Sequence, residues 1–472
     1  MNKKALDHSV KYINSWLDLR YENNDLPGFV VAISYKGKIL LNKAYGYADI
    51  DKKVKLTPNH IFRVASHSKT FTATALMQLQ EQGKLKIDDY AVTYLPWLKD
   101  HKDKKWQNVT IRQLMSHGAG IIRDGQNSSF WQLERPFPNA KQLKEEILQS
   151  DLVIDNNTKL KYSNFGYSLL GLLIESISGK TYNNYVLENI SEPLGLKNTG
   201  PDYKSEIADK LAVGYTRKIN GYRLPIDNIE TKAMSAATGF YSTSEDLCNY
   251  FTAQFVGSEK LINDESKKEM QRTHWRATKP FQNFQEDYGL GIEIEYINNR
   301  RTISHGGGFP GFATKSIGDP KDQLVVVVLT NCHDGLSSMI ARNIFPIIDY
   351  FLNNTSTVKP KHNLSILEGR YVGRLGFITD IIVTGDKIVS NSPNNWQPMQ
   401  NLESLEYIDD TTFKIVDADS FSNEGEKVIF KVIGSKVESI DYSGVIIKPE
   451  NIWRKDIKGQ ERIKLLEPKL DM

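Results

Sequence analysis

Val64-Ala65-Ser66-His67-Ser68-Lys69-Thr70-Phe71-Thr72-Ala73-Thr74-Ala75-Leu76-Met77-Gln78-Leu79 is the stretch on which the reading of this chain turns. The run after Ser68 reads as a helix, and on a helix residues three apart share a face, which puts Lys69 within reach of Ser66. A serine hydroxyl is a poor nucleophile until a base takes its proton, and a desolvated lysine can serve as that base. Val64, Ala65, Phe71 and Ala73 give Lys69 the packed setting this needs. The spacing carries little by itself. Ser356-Thr357-Val358-Lys359 repeats it in a polar segment followed by Pro360, where no helix can hold the pair.

Two further motifs supply what the first lacks. Tyr162-Ser163-Asn164 lies between the turn-forming Asp155-Asn156-Asn157-Thr158 and a helix beginning near Tyr167. A phenol there, near an ammonium, is expected to ionise more easily and relay a proton, while the Asn164 amide can bind a substrate carbonyl. The tripeptide also suits a helix N-cap by Ser163 or Asn164. His305-Gly306-Gly307-Gly308 ends a strand, and its glycines allow close approach to the backbone. The N–H groups of Gly308 and Ser66 would form an oxyanion hole, with His305 facing the cleft as a titratable group. No phosphate-loop pattern is present.

Outward from these motifs, Val10, Ile13, Trp16 and Leu17 predict an amphipathic helix over Leu6–Leu19 that stops at Leu26-Pro27-Gly28. Phe29–Tyr35 and Lys38–Asn42 read as a hairpin around Lys36-Gly37. The middle is largely helical, with Leu169, Leu170, Leu173, Ile174 and Ile177 at helical spacing and Gly179 as terminator. Strands return at Leu290–Ile297, Arg301–Ser304, Phe312–Ile317 and Gln323–Thr330, separated by Asn298-Asn299, the Gly306–Gly308 run and Asp319-Pro320. Strands at both ends of a helical middle imply one shared sheet. Beyond a polar linker over residues 353–363, short alternating runs such as Asp380–Val383, Thr412–Val416, Lys427–Val432 and Val437–Tyr442 predict a small antiparallel barrel. The fold class is therefore α+β: an antiparallel sheet flanked by helices, a largely helical second lobe, and a C-terminal β-barrel over 364–472. A barrel of this kind could also carry an apolar ligand.

Bulk properties narrow the function. The 472 residues exceed one ordinary core, and 40% hydrophobic with 25% charged content is usual for soluble globular proteins. A net charge of +3 from 60 basic and 57 acidic residues does not point to nucleic acid. Cys248 and Cys332 stand far apart, outside any metal or redox spacing, and a disulfide between them is not expected. Cys332, at the end of Leu324–Leu329, reads as a small buried thiol. No run nears the roughly 20 apolar residues a membrane helix needs. Met1–His8 has the charges of an export signal without its apolar stretch, so a cytoplasmic location is expected if the sequence is complete, and a periplasmic or secreted one if a leader has been removed.

The three motifs together resemble the serine β-lactamase and penicillin-binding-protein superfamily, in its class C-like branch of β-lactamases, D-alanyl-D-alanine carboxypeptidases, D-aminopeptidases and family VIII esterases. Further matches are Ile61–Ala65, Thr110-Ile111-Arg112-Gln113-Leu114-Met115-Ser116-His117-Gly118, Glu192–Leu196, Tyr241–Leu247 and His305–Phe312. The resemblance covers residues 7–350 and implies the β-lactamase/transpeptidase-like fold over 1–352. His117 falls in a loop motif and reads as structural. His305 stands where many members have lysine, a change similar to peptidase-like and esterase-like members. Leu367–Gly373 and Trp396 are similar to lipocalin-like domains appended to some of these hydrolases.

On this resemblance the expected catalytic residues are Ser66, Lys69 and Tyr162; Asn164, His305 and Gly307 bind substrate; and the Ser66 and Gly308 amides hold the oxyanion. No metal or cofactor is expected. Partners are a small-molecule or short-peptide substrate, with homo-oligomers allowed and no nucleic acid. The implied function is hydrolysis of small peptide, D-amino-acid or ester substrates through an acyl-enzyme. The alternatives are a β-lactamase or D-Ala-D-Ala carboxypeptidase, and a non-catalytic binding protein that keeps the fold.

Overall fold

The computed structural model describes residues 2–276, 285–355, 360–417, 423–460 and 463. By internal contacts the chain divides into two compact units, 23–345 and 1–22 with 346–472. The first helix, grouped with the hydrolase segment in the sequence, is thus counted with the C-terminal unit. The Ser356–Lys359 repeat of the serine–lysine spacing lies outside the described residues.

The larger unit is built on an eight-stranded antiparallel sheet whose centre joins the two ends of the unit. Gly28–Tyr35 is buried over nearly its whole length, as a β-branched central strand should be. It pairs on one side with Lys38–Asp49 and on the other with Leu324–Thr330, from Phe29 opposite Thr330 to Tyr35 opposite Leu324. Phe312–Asp319, Arg300–Phe309, Glu293–Ile297 and Gln285–Tyr288 continue the sheet. The glycine run does not break the strand as expected. Arg300–Phe309 runs straight through Gly306–Gly308, and the chain reverses at Pro310-Gly311, where Gly311 adopts φ +86°.

The helical middle packs around Ser68–Glu81, which is buried from Ser68 to Leu79 on every face. Its buried polar residues Ser68, Lys69, Thr70, Thr72, Thr74 and Gln78 make hydrogen bonds inside the unit, as buried polar groups must. It is contacted by the helix Asn164–Ser178 and by the turn Ser235–Gly239. The helix at 164 starts three residues before its expected position, with Ser163 as N-cap accepting the Gly166 N–H at 2.9 Å, and ends at Gly179 in the left-handed conformation. Cys248 and Cys332 are buried free thiols. Among the described residues no helix is long and apolar enough to cross a membrane.

In the other unit, eight antiparallel strands from Gly369–Gly373 to Val445–Pro449 close into a barrel, with Tyr371 opposite Pro449 at the seam. Tyr371, Ile381, Ile388, Leu405, Phe413, Ile415, Val428, Phe430, Ile440 and Ile447 form its core. An interior filled by side chains is what eight strands allow. At the level of these residues the barrel interior is filled by its own side chains. The helix Lys3–Asn23 belongs to this unit through Tyr12, whose hydroxyl donates to Asp380 at 2.9 Å, and through Arg370, which donates to the Ser15 carbonyl.

Candidate active site

Ser66 is the one partly exposed residue in the otherwise buried stretch Ile61–Leu79. It follows the strand Phe62–Ala65 and precedes the helix at Ser68, and the turn between them holds Ala65 at φ +49°. A non-glycine residue there is strained, and the surrounding packing must hold it. Strand, turn and helix thereby lift a single hydroxyl out of the core.

Lys69 is fully buried. Its Nζ donates to Asn164 Oδ1 at 2.8 Å and to the Ala237 carbonyl at 2.7 Å, and lies 3.1 Å from Ser66 Oγ. Burial pulls its pKa well below the ordinary lysine value, opposed by the Asp124 carboxylate. A neutral amine has two N–H groups and one lone pair. The surroundings match that form: two carbonyl oxygens take the N–H groups, leaving the lone pair for the Ser66 hydroxyl.

Tyr162 also hydrogen-bonds the Ser66 side chain. Its phenol does not ionise more easily, as the sequence suggested. Burial raises its pKa, and the Ser66 hydrogen bond offsets only part of that rise. The physical reason is burial of the phenol, to which the nearby Glu293 carboxylate adds, while the Lys69 Nζ lies over the Tyr162 ring, 4.7 Å from its centroid, and not against its oxygen. Tyr162 is a proton-bearing phenol beside the serine.

The loop that carries Tyr162 is fixed by His117. Its Nδ1 accepts the Ser163 N–H at 3.1 Å, its carbonyl accepts the Lys161 N–H at 2.9 Å, and its ring packs 4.2 Å from Tyr162. This is the structural role the sequence assigned. Asn164 is committed on both ends of its amide, with Oδ1 on Lys69 and Nδ2 donating to Asp124 Oδ1 at 2.7 Å. It therefore holds Lys69 before it can meet any substrate carbonyl.

On the opposite wall the expectations change most. His305 is 1% exposed and does not face an open cleft. Its Nδ1–H donates to the Gly306 carbonyl at 2.7 Å, and its Nε2 lies 3.4 Å from the Tyr288 hydroxyl. Burial lowers its pKa, so the neutral ring is favoured. Gly307 is a packing residue: a Cβ there would stand 2.2 Å from the Val64 carbonyl oxygen, so the glycine lets this strand lie against the segment leading to Ser66. Gly308 has open space where its Cβ would be. In a hairpin closed by two residues the flanking pair, Phe309 and Phe312, exchanges hydrogen bonds and the next pair does not. The Gly308 N–H accordingly points to the other side of its strand, where pairing stops at Ser304 opposite Glu293.

Sequence reasoning missed a buried ionic group behind His305. Lys315, opposite Gly306, is 2% exposed and donates to Glu293 at 2.7 Å; it also pairs with Glu295, which accepts from Arg342 Nε at 2.6 Å. Burial pulls Lys315 down, but Glu293 and Glu295 more than offset it and its pKa is raised. Burial pushes Glu293 up, but Lys315, His305 and Arg342 hold its carboxyl far below the usual range. Glu293 is also among the charges acting on Lys69 and Tyr162. Glu293 and Glu295 alternate with buried Ile292 and Ile294, and that pattern reads as an ordinary half-exposed strand. Asp124 was missed too, since nothing in Ile121-Ile122-Arg123-Asp124-Gly125 ties it to residue 164.

The chain is similar to known proteins over most of its length. The Beta-lactamase family profile matches residues 13–346. Protein flp of Staphylococcus aureus (strain MW2) is 26% identical over 334 residues, covering 70% of this chain and 64% of that protein. Penicillin-binding protein 4* of Bacillus subtilis (strain 168) is 27% identical over 336 residues, covering 68% of this chain and 71% of that protein. The chain thus spans under two thirds of the length of flp. An octameric penicillin-binding protein homologue from Pyrococcus abyssi is similar in fold, with a TM-score of 0.64 at 22% identity over 93% of this chain and 99% of that one.

Proposed function

Because this chain belongs to the Beta-lactamase family, whose superfamily members are serine hydrolases, we propose that it cleaves small peptide, D-amino-acid or ester substrates through an acyl-enzyme at Ser66. The observation that carries this reading is the placement of Ser66 Oγ 3.1 Å from an Nζ whose other two neighbours are carbonyl oxygens. Lys69, held neutral by burial, takes the Ser66 proton as the hydroxyl oxygen attacks the substrate carbonyl. The oxyanion is held by the N–H groups of Ser66 and Gly308. Tyr162, with its phenol proton retained, donates to the departing amine or alkoxide and is reprotonated from Lys69. Water then attacks the acyl-enzyme, the proton moves along the same path in reverse, and Ser66 is regenerated.

Substrates without a carboxylate at the leaving end suit the site best. A lysine in place of His305 would present a permanent cation to such a carboxylate, whereas His305 is buried and neutral. This ranks peptidase or esterase activity above β-lactamase or D-Ala-D-Ala carboxypeptidase activity.

The test is labelling with a fluorophosphonate, followed by a panel of D-aminoacyl amides, p-nitrophenyl esters and a chromogenic cephalosporin. Labelling and turnover that both vanish in Ser66→Ala are expected. Absence of any Ser66-dependent labelling or turnover would favour the non-catalytic reading, and a cephalosporin turned over faster than every amide and ester would reverse the ranking.

A further inference from the structure

The barrel has a second layer above its apolar core. Side chains on a strand alternate between the two faces, so Thr379 points inward with Ile381 and Val383, Ser390 with Ile388, Glu403 with Leu405, and Tyr442 with Ile440. The inward positions are apolar through the core and turn polar together at one end. There Ser390 Oγ donates to Glu403 Oε2 at 3.0 Å and lies 2.7 Å from the Tyr442 hydroxyl, which itself donates to the same carboxylate oxygen. Ser390 is 4% exposed and Tyr442 5%, so this trio is fixed before any ligand arrives.

These four residues floor a cavity of about 230 Å³. At about 30 Å³ per water molecule it holds some seven or eight waters, which is room for one six-membered ring and too little for a drug-sized ligand. Its rim carries the amides of Asn395 and Asn401 and the ring of Phe377, which is 56% exposed. The two amides and Glu403 Oε1 have no side-chain hydrogen-bond partner among the described residues.

The chemistry of the lining selects the ligand. Among the described residues no lysine, arginine or histidine lines the cavity, which disfavours phosphates and carboxylates. An apolar ligand would leave the two amides and Glu403 Oε1 without partners. A ligand rich in hydroxyl groups satisfies these three: each hydroxyl both donates and accepts, the amides do the same, and Glu403 Oε1 accepts from one. An exposed aromatic ring presents a negative face to the weakly positive C–H face of such a ring. We propose that the open end of the barrel is a binding site for one neutral sugar ring, with Glu403, Asn401 and Asn395 taking its hydroxyls and Phe377 packing on its C–H face.

The experiment uses the full-length chain, with saturation-transfer NMR and calorimetric titration of methyl β-D-glucopyranoside and N-acetylglucosamine, and ethanolamine as a charged control. At least one sugar is expected to bind with a Kd on the order of 1–10 mM, with transfer strongest to the C–H protons of one face. Phe377→Ala changes an exposed side chain, and Glu403→Gln keeps the shape of the floor. Each is expected to weaken binding about tenfold, and neither touches the Ser66 site. The proposal fails if neither sugar binds at concentrations about tenfold above that range, if binding is unchanged in both variants, or if ethanolamine alone binds.

Discussion

Asp124 accepts a hydrogen bond from Asn164 Nδ2 at 2.7 Å and thereby decides which end of that amide faces Lys69. With the nitrogen engaged, only the oxygen is presented to Nζ. Asp124→Asn frees the amide to turn and removes a carboxylate that favours the ammonium. We expect kcat/KM to fall about 10- to 100-fold and its acid limb to move to lower pH. Asn164→Asp puts a carboxylate against Nζ and should move that limb up by about one to three units. Limbs that do not move in opposite directions would remove Asp124 from the control of Lys69.

The pH dependence of the wild-type protein follows from the same geometry. Lys69 acts when neutral, and its pKa is lowered by burial, so kcat/KM should rise through a value well below the ordinary lysine range and then level off. Tyr162 acts with its proton on, and its pKa is raised, so no alkaline decline should arise from it before the ordinary tyrosine value. A pH–rate profile on a p-nitrophenyl ester checks both limbs.

Gly307 and Gly308 should respond oppositely to alanine. At 307 the new methyl meets the Val64 carbonyl at 2.2 Å, backbone that cannot yield without displacing Ser66. A loss of about 1–3 kcal/mol in thermal stability, with loss of turnover, is expected. At 308 the methyl enters open space, so the melting temperature should hold. Calorimetry on the pair separates packing from chemistry.

The ionic group behind His305 governs acid stability. Glu293 and Glu295 have folded-state pKa values below their unfolded ones, so their contribution is complete above the ordinary carboxylate range and is lost as pH falls beneath it. Lys315 is raised, and its contribution is complete below the ordinary lysine value and is lost above it. Lys315→Met takes the ammonium from buried Glu293, while Glu295 keeps Arg342, and should cost about 3–5 kcal/mol at neutral pH, measured by denaturant unfolding.

Much of this was legible in the residues. Periodicity placed the Phe29–Tyr35 strand, the helix ended by Gly179 and the barrel strands, because each buries one regular face. Ser66, Lys69 and Tyr162 do converge, since the serine–lysine spacing is local and the Tyr162 loop is set by a helix start. What stayed hidden depends on partners distant in sequence. His305 looked like a cleft residue until Tyr288 and Glu293 were seen to enclose it. Gly307 was read only as a substrate contact, and its close approach to Val64 could not be seen in the sequence. Tyr162 was expected beside an ammonium that would ease its ionisation, and the burial that raises its pKa and lowers that of Lys69 cannot be read from spacing.

The pairing of Phe29 with Thr330 has a consequence for how the protein comes to exist. Gly28–Tyr35 can form its hairpin with Lys38–Asp49 early, but its other edge waits about three hundred residues for Leu324–Thr330. Contacts that far apart make folding slow and leave that edge unpaired during synthesis. Val64, one wall of the serine turn, rests on Gly307 from the same late segment. The nascent chain therefore carries its nucleophile long before it can use it, and cleavage competence should appear in one late step when the sheet closes.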